Sequence, residues 1–317
     1  GGLSIIFITH KLPEAVAASD RITILRKGRV VDTVEAGRVD QGALAQKMVG
    51  REVLFEAARS ETVKGERVLE VRGLEALDDA GRRALRGVSL YVSEGEILGV
   101  AGVSGNGQRE LVEVIMGLRK AARGEVVIKG LETTGFSPKE IRGLGVGYIP
   151  EDRLGRGILA HATVCENLVL GAHSKNPFAK GLFTDPARIR EHAERLVREY
   201  GIETPSVDKP AGKLSGGNIL KLILAREFSR DPDLLIADKP TSGLDVGYEE
   251  SVRRRLMEER GRGKAILLVS EDLDEVMTMS DRIAVMYEGE IMGVVRAGEA
   301  TREEMGVMIA GAKRSSP

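Results

Sequence analysis

Residues Leu214-Ser215-Gly216-Gly217-Asn218 read LSGGN, and two flanking segments give this short stretch its meaning. Upstream, GVSGNGQR runs from Gly102 to Arg109 and overlaps the end of the apolar stretch EILGVAGV, Glu96 to Val103. Downstream, the apolar run LLIAD ends in Asp238. The run at 96–103 alternates little, as a parallel strand covered on both faces should. Gly105 and Gly107 then predict a tight turn, with a helix opening at Glu110. A strand, a glycine turn and a helix N-terminus together aim backbone N–H groups at one point, where an anion can be cradled. Taken alone, the same pattern also describes a strand–turn–helix that binds nothing. Further apolar runs at 234–238 and 265–270 alternate with amphipathic stretches such as RIREHAERLVREY, Arg188 to Tyr200. That alternation implies an α/β fold with a mainly parallel core sheet and ligand at the carboxyl ends of its strands.

Composition narrows the class. The 317 residues are 42% hydrophobic and 30% charged, as in an ordinary globular chain able to bury one large core or two smaller ones. A net charge of −1 gives no global attraction to nucleic acid or to an anionic membrane surface. Cys165 is the one cysteine, which excludes an intramolecular disulfide framework and suits a reducing compartment. No apolar run reaches the ~20 residues needed to span a bilayer. The stretch LSIIFI, Leu3 to Ile8, is too short for a secretory signal and lacks preceding basic residues, so it is expected to be a buried strand. The chain opens on Gly1-Gly2 rather than methionine, which points to a piece of something longer.

An internal repeat accounts for the first fifty residues. Shifted by 261 positions, residues 4–50 fall without a gap on residues 265–311, with about a dozen identities. Among these, Ser19-Asp20-Arg21-Ile22 lies over Ser280-Asp281-Arg282-Ile283, and Gly28 over Gly289. A repeat at so long an offset indicates duplicated domains. Each copy reads as a strand, an amphipathic helix, two strands and a closing helix.

The phosphate loop departs from its working form. GxxxxGK followed by Ser or Thr supplies a lysine for the phosphates and a hydroxyl for magnesium. Here Gly102, Gly105 and Gly107 keep the backbone shape around Ser104 and Asn106, but Gln108 stands at the lysine position and Arg109 at the hydroxyl position. Replacing an ammonium ~4 Å from a phosphate by a neutral amide forfeits roughly 4 kcal/mol of gross attraction at an effective dielectric of 20. A guanidinium has no lone pair to offer a metal.

The order of loop, LSGGN and LLIAD resembles the ATP-binding cassette (ABC) family, the nucleotide-driven motors of membrane transporters. The stretches IPEDR (149–153), ENLVLG (166–171), NPFAKG (176–181) and PTSGLDVG (240–247) resemble tandem-cassette importers of simple sugars and nucleosides. The resemblance covers residues 66–313 nearly continuously. It implies a P-loop fold of ABC type, with an antiparallel β subdomain and a helical subdomain inserted at about 151–225. It also implies a domain order: the end of a first cassette at 1–50, a linker at 51–66, a whole second cassette at 67–313 and a tail at 314–317.

Within that family, Asp238 occupies the place of the magnesium-associated aspartate. Lys239 stands where a glutamate should polarise the attacking water, Glu271 where a histidine should contact the γ-phosphate, and Glu151 where a glutamine should contact the metal. A protonated lysine cannot accept a proton. Four catalytic positions depart together, so hydrolysis at this loop is not expected. The changes also look mutually compensating: Arg109 is expected to pair with Asp238, and Lys239 with Glu271. The alternative is that each is a solvated surface charge. His10, which the repeat places over Glu271, resembles an intact switch histidine of the first cassette, although a histidine closing a strand would read the same way.

The resemblance further implies that two cassettes meet head to tail. Ser215, Gly216, Gly217 and Asn218 would face an ATP, with Mg2+, held by the partner's loop, while the second cassette's own site is degenerate. Asn218 is typical of the sugar and nucleoside branches, although Ile219-Leu220 replaces their usual glutamine pair. No aromatic stands at 75–79, where one usually stacks the adenine. The implied partners are integral-membrane permease subunits at the cytoplasmic face, a substrate-binding lipoprotein indirectly, and the first cassette of the same polypeptide; nucleic acid is not expected. A soluble tandem ATPase and a half-motor that only completes a neighbour's site are the competing readings.

Overall fold

The computed structural model describes residues 2–9, 12–26, 28–49, 65–173, 176–180 and 183–312. His10, most of the linker expected at 51–66 and the tail at 314–317 lie outside them. In chain order the strands are β1 (Arg21–Arg26), β2 (Arg29–Glu35), β3 (Arg67–Leu77), β4 (Arg83–Ser93), β5 (Ile97–Ala101), β6 (Arg123–Ile128), β7 (Leu131–Glu132), β8 (Val146–Ile149), β9 (Ala179–Lys180), β10 (Phe183–Thr184), β11 (Leu234–Asp238), β12 (Ala265–Ser270), β13 (Arg282–Tyr287) and β14 (Glu290–Arg296). The helices are α1 (Leu12–Ala18), α2 (Gln41–Val49), α3 (Gln108–Ile115), α4 (Pro138–Gly143), α5 (Val164–Leu168), α6 (Pro186–Glu199), α7 (Gly216–Phe228), α8 (Val246–Gly261), α9 (Leu273–Met279) and α10 (Arg302–Ile309). Two compact units divide the chain: residues 1–59 with 241–257, and residues 60–240 with 258–317.

In the larger unit, a six-stranded sheet runs β14-β13-β5-β12-β11-β8. β5, β8, β11, β12 and β13 are parallel, and β14 returns antiparallel along β13. The sequences explain the order: ILGVA, LLIAD and AILLVS are buried at every position, as central parallel strands must be when both faces are covered. Register is tight, with Ile266 beside Ile97 and Leu234 beside Ala265. A second, antiparallel sheet runs β4-β3-β6-β7. Both sheets feed one core, in which Leu69, Leu85, Leu98, Leu111, Ile115 and Ile128 are fully buried. The expected parallel core with an antiparallel β sheet is what the structure has.

The repeat is visible in three dimensions. α1, β1 and β2, moved by 261 positions, coincide in extent with α9, β13 and β14. The register slips between Ile24 and Leu25 in the first hairpin and between Val285 and Met286 in the second, which are matching positions. Their cores match as well: Ile24, Leu44 and Ala36 take the places of Val285, Met305 and Ala297. In the smaller unit Leu12, Ile24, Leu44 and Ala45 pack with Val246, the first residue of α8.

The expected strand at Leu3–Ile8 is not formed. No strand is assigned there, and Leu3, Ile6 and Ile8 are more than nine-tenths exposed. Its counterpart β12 sits inside the sheet, paired with β5 and β11 on its two edges, and is buried at every position. Leu3–Ile8 has no such neighbours among the described residues, and an apolar strand without a sheet has nothing to bury against.

Candidate functional site

Four neighbouring parallel strands end at one place. β5 leads into Ser104 and the glycine loop, β8 into Glu151, β11 into Asp238 and Lys239, and β12 into Glu271. This is the carboxyl edge where an open α/β sheet presents its ligand groups.

The loop between β5 and α3 is shaped by close backbone contacts. Gly107 has φ +101, and a Cβ there would lie 2.5 Å from the Ala84 carbonyl oxygen. A Cβ on Gly102 would meet the Met286 carbonyl at the same distance. Asn106 is structural: its Oδ1 accepts from the Glu288 N–H at 2.9 Å and its carbonyl from the Gly289 N–H at 2.9 Å, tying the loop to the β13–β14 turn. Gln108 is buried and donates from Nε2 to the Val103 carbonyl at 3.0 Å, so it spans the loop from beneath. The Gln108 amide is therefore spent on the loop's own backbone.

Arg109 does not pair with Asp238, contrary to the sequence expectation. Its Nε donates to Glu113 Oε1 at 2.8 Å, and NH2 lies 3.3 Å from Asp79. One helical turn separates 109 from 113, so the i,i+4 partner lies beside it on α3. Arg119 and Arg156 reach the same carboxylate at 2.7 Å, and Arg119 also holds Asp79 at 2.6 Å. Glu113 is buried, and burial pushes its carboxyl up, yet the bonds from Arg156, Arg109 and Arg119 outweigh this and hold it below the ordinary value. Asp79, Glu113, Arg119 and Arg156 were not singled out from the sequence; the Arg109/Glu113 spacing was the available signal.

Asp238 is left nearly alone. It is buried, and burial raises its carboxyl from 3.8 to about 6, with the Glu151 charge adding to the rise and Lys239 opposing it.

Lys239 forms the predicted pair with Glu271 and does more. Its Nζ contacts Glu271, lies 3.0 Å from Glu151 and 3.3 Å from Ser104 Oγ, and Ser104 Oγ in turn donates to Glu271. Burial works to lower the ammonium's pKa, but bonds to Glu271 and Glu151 prevail and hold it above the ordinary lysine value. Glu271 is likewise held low against its own burial by Lys239 and Ser104. Lys239 adopts φ +45, a left-handed conformation costing ~1–2 kcal/mol for a residue with a Cβ. Its N–H donates to the Val269 carbonyl at 2.8 Å, which with the side-chain contacts fixes it there. One ammonium and two carboxylates thus lie across the loop's mouth with a net charge of −1, and none of them is a free proton acceptor.

LSGGN occupies a different part of the same unit. Ser215 caps α7, and its Oγ accepts from the Asn218 N–H at 3.4 Å and from Asn218 Nδ2 at 3.0 Å. Ser215 and Gly216 are exposed, Gly217 is partly so, and Asn218 is buried. Among the described residues no hydrogen bond joins these side chains to the loop cluster.

Residues 85–242 match the family model described as ABC transporter. The chain carries an ABC transporter ATP-binding domain. It is 46% identical over 312 residues to the glucose import ATP-binding protein TsgD13 of Haloferax volcanii, covering 98% of this chain and 57% of that protein. The nucleoside import ATP-binding protein NupA of Lactococcus lactis is 43% identical over 98% of this chain and 61% of its own length. The guanosine import ATP-binding protein NupO of Bacillus subtilis is 42% identical, again over 98% and 61%. The chain therefore spans about three-fifths of the length of these curated relatives. A solved nucleotide-free cassette from an ABC transporter shares the fold at 24% identity and a TM-score of 0.63, covering 77% of this chain and 96% of that one. An ADP-bound cassette of another ABC transporter does so at 24% and 0.61, covering 78% and 96%.

Cassettes of this family bind ATP, typically with Mg2+, so the residues at this loop can be tested against that ion. They do not fit it. Arg109 offers no lone pair, Glu151 is committed to Lys239, and Asp238 is buried without a second carboxylate beside it that is free. Among the described residues no group of three or more His, Cys, Asp or Glu could hold a metal.

Proposed function

We propose that this chain is part of the energy-coupling subunit of an ABC importer for nucleosides or simple sugars, and that it carries the end of a first cassette followed by a whole second one. In this reading residues 1–50 are the first cassette's tail, 51–66 the linker and 67–313 the second cassette. The second cassette lends Ser215, Gly216 and Gly217 to a triphosphate held by the first cassette's loop, while its own loop is hydrolytically degenerate. Mg2+ belongs to that composite site, and the residues that would hold it are outside this chain. His10 serves there as the switch histidine. The permease subunits dock on the cytoplasmic side of the membrane, and the binding lipoprotein acts through them.

The observation that carries the reading is the contrast within one unit. The loop's mouth is crossed by Lys239 between Glu151 and Glu271, yet the serine of LSGGN is an exposed, ordered N-cap. A helix N-terminus with a hydroxyl at its cap is suited to donate to phosphate oxygens. The matched extents and register slips of the two hairpins support the duplication. Similarity to glucose, nucleoside and guanosine import proteins supports the cargo class. Among the described residues no helix is long and apolar enough to cross a membrane.

The test is solute uptake and ATP turnover by the longer polypeptide assembled with its permease. His10→Ala and Ser215→Ala are each expected to lower both about 100-fold. Unchanged turnover in both variants would refute the composite site.

A further inference from the structure

The signature region contains a side chain whose orientation is fixed by its surroundings. Asn218, 4% exposed, accepts at Oδ1 from the Glu203 N–H at 2.9 Å. A backbone N–H can only donate, so this bond settles which end of the amide is oxygen. The other end, Nδ2, must then point to Ser215, and it donates to Ser215 Oγ at 3.0 Å. The Asn218 N–H donates to the same oxygen at 3.4 Å. A serine hydroxyl accepts through two lone pairs and donates one hydrogen. Both acceptor sites of Ser215 are therefore filled from the α7 side, and its hydrogen is directed away from the helix, toward the exposed side of the residue.

We propose that Asn218 is a positioning residue that makes Ser215 an obligate hydrogen-bond donor, ready for a phosphate oxygen before the nucleotide arrives. The inference rests on the reading that Ser215 faces the partner cassette's triphosphate. A freely rotating serine would spend part of its time donating to water or to backbone, and would have to reorient when charge develops on the phosphate. The Glu203–Asn218–Ser215 relay removes that step, which is the advantage of a donor held ready in advance. It also gives position 218 a chemical requirement that size alone does not explain: the group facing Ser215 must donate. Glutamate 203 contributes through its backbone, so its own side chain is free to vary.

The discriminating variant is Asn218→Asp. It keeps the shape of the side chain, and Oδ1 can still accept from the Glu203 N–H. The second oxygen, however, now accepts where Nδ2 donated, so the serine hydrogen turns inward. Asn218→Ala removes the relay and leaves the hydroxyl a free rotor.

Steady-state ATP turnover is measured in the longer polypeptide for Ser215→Ala, Asn218→Asp, Asn218→Ala and Ser215→Ala with Asn218→Asp. Loss of one preorganised donor to a developing charge costs about 100-fold in kcat, and that is the expectation for Ser215→Ala. Asn218→Asp is expected to approach it. Asn218→Ala should lose only about 3- to 10-fold, the share of a rotor's time spent misdirected. KM should move far less than kcat in all three. In the double variant the aspartate should add nothing, because its effect passes through the hydroxyl already removed.

A purely structural role predicts the opposite order, with alanine more harmful than the isosteric aspartate, and that result overturns the proposal. Additive losses in the double variant would show that the aspartate acts by its charge on the phosphate, and would also overturn it. Full turnover by Ser215→Ala removes the composite-site reading and this inference with it. A damaging Ser215→Ala beside a harmless Asn218→Asp removes the inference alone.

Discussion

At position 239 a lysine ammonium meets two carboxylates and a serine hydroxyl beside the glycine loop. Lys239→Met should cost about 1 kcal/mol of stability in urea denaturation, because Glu151 and Glu271 are partly exposed and water takes over much of the pairing. The loss should shrink in high salt. Asp238 carries the clearest pH signature. Its folded value of about 6 lies above the ordinary 3.8, so the unfolded chain releases this proton first as pH rises. The protonated carboxyl thus gives a contribution that is present below about pH 4 and lost as pH rises through about 6. With roughly 1.4 kcal/mol for each pH unit between the two values, Asp238→Asn should gain about 2–3 kcal/mol relative to wild type between pH 4 and pH 7. A stability difference between the two proteins that stays flat across that range would contradict the buried, unpaired carboxyl.

The residue scale also marks what the sequence could not show. Lys239 and Glu271 were legible as a pair because they reverse two charges that belong to one site. Arg109 was misassigned because motif reasoning looks across the loop, while a guanidinium on a helix first meets the carboxylate one turn along. The convergence of Arg109, Arg119 and Arg156 on Glu113 depends on chain segments that only the fold brings together.

Among the elements, buried Glu227 near the end of α7 ties that helix to two other elements. It accepts from Arg142 of α4 at 2.8 Å, from Arg226 at 2.8 Å and from the Tyr148 N–H of β8 at 3.3 Å. Burial would raise its carboxyl, but Arg226 and Arg142 keep it ionised and below the ordinary value. Removing one member strands the others, so Glu227→Ala should cost roughly 3–5 kcal/mol by chemical denaturation. A loss under about 1 kcal/mol would show that the network is not a structural tie. The strands β5, β11 and β12 were readable from their apolar runs, since a strand buried on both faces needs no alternation. Leu3–Ile8 has the same apolar pattern and is nevertheless exposed. Pattern gives a strand its preference, whereas burial needs a sheet to join and layers covering its faces. Ile6→Lys is therefore expected to leave the stability of this chain within about 0.5 kcal/mol in urea denaturation, as for other exposed positions.

On the scale of the whole molecule, one unit holds both a glycine loop flanked by the Lys239–Glu151–Glu271 cluster and the exposed Ser215 cap of α7. The α/β class was legible in the alternation of apolar runs and amphipathic stretches, the ABC type only through the family resemblance, and the repeat through a gapless offset of 261 positions. The proposed division of labour between loop and signature rests on charges whose partners only the coordinates reveal. ATP turnover by this chain purified by itself, with and without magnesium, decides between a disarmed loop and a working one. No turnover above background is expected, with nucleotide bound weakly and no more tightly with magnesium than with a chelator. Steady magnesium-dependent hydrolysis that disappears on changing Lys239 would contradict it.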